Sequence, residues 1–205
     1  MITDTKDVLK SILANISQIN YVKPEDIPNI DLYMDQVTTF MDEHLRSSKR
    51  YEDDKVLTKT MINNYAKNNL LPPPVKKKYS KEHVLVMIFI YYFKNILSIK
   101  DIETLLTPLT DKYFKNDRGM DMTSVYSEML ELEKSRISIV TKDIARSLKE
   151  AGECFADAPE EDQDYLQLFA FICSLSFDIY VKKLLMQKLI DEFDAKENNK
   201  DKKKK

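Results

Sequence analysis

The sequence predicts an all-α protein, and three observations carry that expectation. Only two glycines, Gly119 and Gly152, occur in 205 residues, whereas β-rich folds spend glycine on their turns. Several long stretches repeat apolar residues at three- and four-residue spacing, the period of a helix with one buried face. Serine, threonine and proline stand where those stretches should start and stop. Hydrophobic residues make up 43% of the chain and charged residues 32%, the balance of a chain that folds around a core.

Residues 5–19 carry a helical stripe of Val8, Leu9, Ile12, Leu13, Ile16 and Ile19, so residues 1–24 form an N-terminal helix ahead of the breaks at Pro24 and Pro28. Asp31 is placed to cap a second helix reaching about Leu45, with Leu32, Met34, Val37, Phe40, Met41 and Leu45 on its inner face. Residues 46–56 are polar and read as a loop. Thr58 caps a short helix, 58–69, with Met61, Ile62 and Tyr65 inward, and Pro72, Pro73 and Pro74 stop it. Residues 75–79 (VKKKY) read as short, extended and basic. Ser80 caps a helix over 81–95 whose 84–93 run is too apolar to be exposed, and it should form the centre of the core. Ser98 and Asp101 make a capping box for the next helix, with Ile99, Ile102, Leu105 and Leu106 inward and Pro108 ending it.

Residues 109–122 are polar and contain Gly119, a natural boundary. A long helix over 123–154 follows, with Val125, Met129, Leu132, Ile139, Val140, Ile144 and Leu148 in its stripe. After residues 152–159 a second long helix runs to about Phe193, apolar nearly all round between Leu166 and Val181. The expected organisation is an N-terminal helix (1–24), a helical head (25–110), a helical dimerisation or sensing domain (111–194) and a disordered, lysine-rich tail (195–205).

Composition also narrows function. Two isolated glycines exclude glycine-rich phosphate cradles. His44 lies far from His83 and Cys154 far from Cys173, with no CxxC or HExxH, so catalytic residues, a metal site and a cofactor are all expected to be absent. The cysteines read as unpaired structural thiols in apolar helices, consistent with a cytoplasmic home. The uncharged run 165–177 is too short to cross a bilayer and reads as a buried helix.

Charge is unevenly placed. Residues 58–100 hold eight lysines and one acid, and residues 200–205 hold five lysines and one aspartate, although the whole chain is at −2. A basic block within an otherwise acidic chain suggests a surface for a polyanion. The outward face of helix 58–69 would present Thr58, Lys59, Thr60, Asn63, Asn64 and Lys67, and asparagine pairs bidentately with adenine in the major groove. Lys76, Lys77 and Lys78 follow as a short basic wing. Tyr65 and Tyr79 complete the DNA-binding set, with core packing as their competing role.

The order helix, triple proline, basic wing, core helix, capped short helix resembles the winged helix-turn-helix of MerR-type transcription regulators. The segments concerned are 58–74 (TKTMINNYAKNNLLPPP), 78–82 (KYSKE) and 98–106 (SIKDIETLL). By position, the resemblance implies DNA contact by Asn63, Asn64, Tyr65 and Lys78, and makes helix 123–154 the counterpart of the long dimer helix. Here the family's contacting arginine and first tyrosine are replaced, and the wing is short and lacks glycine. With residues 24–45 (PEDIPNIDLYMDQVTTFMDEHL) included, the chain looks closer still to an uncharacterised bacterial family, domain of unknown function eighteen-thirty-six. The expected function is a homodimeric regulator of transcription that binds double-stranded DNA. The alternative is a helical protein–protein adaptor that keeps the head without binding DNA.

Overall fold

The structure, a computed structural model, describes residues 22–116 and 119–203. The apolar stripe of residues 8–19 lies outside the described residues. Among those described, the chain is predominantly helical, with six α-helices and one two-stranded sheet. The helices are α1 (Met34–His44), α2 (Lys59–Lys67), α3 (Lys81–Phe93), α4 (Ile99–Tyr113), α5 (Met122–Gly152) and α6 (Glu160–Lys203). The strands are β1 (Leu32–Tyr33) and β2 (Lys78–Tyr79), paired antiparallel with Leu32 opposite Tyr79 and Tyr33 opposite Lys78. No described helix is long and apolar enough to cross a membrane.

The chain divides into two compact units. The first holds residues 22–130 and 186–203 of the described chain, with α3 at its centre. His83 through Ile88, Ile90 and Tyr91 are all buried, as expected of a helix apolar on every side. Val37, Phe40 and Met41 of α1, Ile62 and Tyr65 of α2, and Ile102 and Leu106 of α4 join this core. The start of α5 contributes Met122, Tyr126 and Leu130, and the Tyr126 hydroxyl donates to the Val22 carbonyl at 2.7 Å. Burying an aliphatic side chain of this size stabilises a fold by about 1.5–3 kcal/mol.

The second unit comprises Glu131–Leu185 among the described residues. Its cluster is small: Ala151 and Phe171 are buried, with Ile144, Leu148, Ala170 and Leu175 packed on them. The Gln163 side-chain amide donates to the carbonyls of Ala156 and Ala158 at 3.0 and 2.9 Å, tying down the connection between helices.

Several expectations are corrected. Asp31 does not cap α1. Residues 32–33 pair as a strand instead, and the Tyr33 amide at the helix start donates to Gln36 Oε1 at 2.8 Å. Pro108 does not end α4, which continues to Tyr113 with the proline inside. Leu109, Tyr113 and Phe114 pack against the core beyond it, and that burial outweighs a hydrogen-bond loss and ring clash of about 3 kcal/mol. The two compact units meet within α5, after Leu130, and within α6, after Leu185. Helix α6 continues to Lys203 through the segment expected to be disordered. The 165–177 run is not buried in its unit: Tyr165, Phe169, Ile172 and Phe177 are exposed. Both cysteines are free and exposed rather than packed.

Candidate nucleic-acid interface

Helix α2 starts where the sequence places its cap: the Met61 amide donates to Thr58 Oγ1 at 3.2 Å. Ile62 and Tyr65 turn inward, which leaves Lys59, Thr60, Asn63, Asn64 and Lys67 exposed on the opposite side. The helix closes with the Asn68 side-chain amide donating to the Asn64 carbonyl at 2.8 Å and with Asn69 in the left-handed region, φ 57°. Asparagine tolerates that conformation better than most residues. Leu70 and Leu71 are buried immediately afterwards, anchoring the chain before the three prolines.

The wing is a tight hairpin rather than an extended stretch. The Val75 amide donates to the Lys78 carbonyl at 3.1 Å and the Lys78 amide returns to the Val75 carbonyl at 2.9 Å. Between them Lys76 and Lys77 both have positive φ, 51° and 65°. A two-residue turn with both central residues left-handed is the type I′ geometry that suits the twist of paired strands and prefers Asn-Gly. Two exposed lysines thus hold the tip of the wing, in a conformation that costs a non-glycine residue about 1–2 kcal/mol each. Lys78 is partly covered, its ammonium 5.0 Å from the centre of the Tyr33 ring.

Three members of the expected set play other roles. Tyr65 and Tyr79 are buried, and burial raises both phenol pKa values, so neither ring offers a base-stacking surface. The side chain of Thr58 serves as the helix cap. Lys94, counted in the basic block, is also structural. Its ammonium donates to the Val56 carbonyl at 2.8 Å and lies 4.7 Å from the Tyr91 ring centre, and burial lowers its pKa. The exposed set is therefore Lys59, Thr60, Asn63, Asn64, Lys67, Lys76 and Lys77, with Lys78 partly exposed.

Sequence reasoning missed three features. Asn68 extends the exposed amide face of α2 by one position, which the spacing from Asn64 could have shown. Tyr33 joins the wing through a strand pair 45 residues apart in sequence, and no local signal gives that pairing. The third is an open cleft of about 810 Å³ running from α1 past the 49–55 loop to the first turn of α2. Asp42, Glu43, Glu52, Asp53 and Asp54 line it against Lys49, Lys55 and Lys59. Lys49 is spent on Asp42 at 2.7 Å, and the Asp54 carboxylate accepts the backbone amides of Arg50 and Tyr51. This acidic lining opposes the phosphate attraction that the N-terminus of α2 would otherwise exert.

His83 fixes the other side of the wing. Its Nδ1 accepts the Ser80 amide at 2.9 Å, so the ring proton sits on Nε2, which faces the Pro73 carbonyl at 3.4 Å. Tyr79 and Phe114 meet the ring edge-on, and burial lowers its pKa. Among the described residues no group of histidines, cysteines and carboxylates could hold a metal ion.

No curated protein matches the chain, and no solved structure does. A family model does: the one described as "Domain of unknown function (DUF1836)" matches residues 22–129. That match covers more than half of the chain, and α1, α2, the hairpin, α3 and α4 all lie within it. The chain belongs to this family.

Proposed function

We propose that the protein is a homodimeric regulator of transcription that binds double-stranded DNA with a MerR-like winged helix-turn-helix. The carrying observation is the wing tip, where Lys76 and Lys77 stand exposed in a strained turn that Asn-Gly would form more cheaply. Strain retained at an exposed position points toward a use for those side chains, and two ammonium groups at a hairpin tip suit phosphate contact. Helix α2 would read base edges through Asn63 and Asn64, with Lys59 and Lys67 toward the backbone. Exposed Phe169, Ile172, Phe177 and Ile179 on α6 favour a second copy, which would supply the symmetry that half-site reading needs.

Selection from a random duplex pool tests the reading. The full chain should enrich a pseudo-palindromic site, and Asn63→Ala or Asn64→Ala should flatten that enrichment, each good bidentate pair contributing about 1–3 kcal/mol of discrimination. A pool left unenriched by the full chain would contradict it. Light scattering should give about twice the monomer mass, as a two-fold partnership requires.

The acidic cleft beside the first turn of α2 favours a second reading, a protein–protein adaptor whose partner presents a basic surface. It predicts no salt-sensitive affinity for duplex DNA.

A further inference from the structure

Helix α6 carries a stripe of exposed and half-exposed side chains, Leu166, Phe169, Cys173, Phe177, Tyr180 and Leu184. At 100° per residue they lie on one side of the helix, opposite Phe171 and Leu175, which belong to the cluster shared with α5. Phe169, Phe177 and Tyr180 are 52%, 65% and 58% exposed, so these three rings alone leave on the order of 350 Å² of surface open. With Leu166 and Leu184 added, the patch is of the size that marks a protein contact. Its spacing says which contact. Counted from Cys173, Phe169 and Phe177 stand four residues either way, Leu166 and Tyr180 seven, and Asp162 and Leu184 eleven. A stripe that reads alike in both directions matches itself when a second α6 runs the opposite way across it. Charge is arranged to suit: residues 160–164 hold four acids and no base, and residues 182–188 hold three lysines and no acid.

We propose that two copies of the chain pair through α6, antiparallel about a two-fold axis at Cys173. The proposal rests on the homodimeric reading and gives it a surface and a register. It sets the contact on α6, whereas the MerR resemblance implies α5. An isologous interface makes every contact twice, so Phe169 of each copy faces Phe177 of the other, and Leu166 faces Tyr180. Lys183 of each copy comes beside Asp162 of the other. Parallel pairing would instead set acids against acids and lysines against lysines, which is costly at an interface.

Disulfide trapping on the full chain tests it, with Cys173 as the native reporter in a Cys154→Ser background. A disulfide needs Cα atoms within about 7 Å, so under the oxidant diamide Cys173 should close with its counterpart at dimer mass. In a Cys154→Ser, Cys173→Ser background, Leu184→Cys should close with itself on the order of tenfold less completely, because antiparallel pairing parts the two by about 33 Å along the helix. Mixed with Asp162→Cys chains, it should close as well as Cys173 does. Lys183→Glu should weaken the dimer on the order of tenfold, and Asp162→Lys added to it should restore the affinity. Leu184→Cys closing with itself, or a second charge reversal that restores nothing, would overturn the proposal. So would a dimer by light scattering whose Cys173 stays open, a result that leaves the homodimeric reading standing, whereas monomer mass overturns both. Circular dichroism of the reduced variants verifies that they remain folded. DNA plays no part in these readouts, so their outcome is separate from that of duplex binding.

Discussion

His83 shows how much one side chain settles at the head. It is 1% exposed, bridges the start of α3 to the proline run, and is held neutral by burial. Lys115 also lowers its pKa, while Glu82 and the Pro73 carbonyl act the other way and are outweighed. Its ordinary pKa is about 6.5. The stability it contributes is thus complete above that value and is lost as pH falls through its lowered folded value, because the unfolded chain takes up a proton that the native ring refuses. Below pH 6.5 the wild type should lose stability faster than His83→Asn, by at most about 1.4 kcal/mol per pH unit, as measured by denaturant melts at a series of pH values. Parallel pH profiles would contradict the neutral assignment. At the wing tip the strain itself can be tested: Lys76→Asn with Lys77→Gly should raise the denaturant midpoint, by the equivalent of about 1 kcal/mol, as the left-handed turn becomes unstrained. An unchanged or lowered midpoint would mean that the two lysines cost nothing there. The residue scale is also where the sequence was least readable. Tyr65 follows Asn64 and Tyr79 follows Lys78, and composition alone does not tell a buried ring from one facing DNA. For Tyr79 only the packing around α3 separates the two, whereas the helical spacing already turned Tyr65 inward beside Ile62.

Elements whose limits depend on neighbouring residues were legible. Thr58 caps α2, Ser98 and Asp101 exchange the two bonds of a capping box at 3.1 and 3.0 Å, and α2 ends before the prolines. The apolar run in α3 announced its own burial. Elements whose limits depend on distant residues were not legible. The pairing of β1 with β2 gives residues 32–33 backbone partners, and that displaces the expected cap at Asp31. Helix α4 continues past Pro108 because Tyr113 and Phe114 gain burial, the latter with its ring centre 4.7 Å from that of His83. Removing the local penalty while keeping that packing should be favourable. Pro108→Ala is expected to stabilise the protein by about 1–3 kcal/mol, read as a shift in melting temperature. A lower melting temperature would mean that the proline ring itself packs usefully.

At the scale of the whole molecule, the sequence announced the two long C-terminal helices but not how they are shared between units. Periodicity reports which side of a helix is apolar and is silent on what covers it, which is why the 165–177 run read as buried and is exposed. Charge had the same limit. Counting residues 58–100 gave a uniformly basic block, but the structure spends Lys94 on Val56 and sets five carboxylates around the start of α2. The electrostatic case for duplex binding therefore rests on α2's outward face and the wing. The most direct test is the salt dependence of duplex affinity for the full chain and for Lys76→Ala, Lys77→Ala, Lys78→Ala combined. Each phosphate contact contributes about 0.9 to the slope of log affinity against log salt. The account predicts a steep slope for the wild type, reduced by about 2–3 in the triple variant, with binding weakened on all duplexes alike. A wild type without salt-dependent binding, or a triple variant with the wild-type slope, would contradict it.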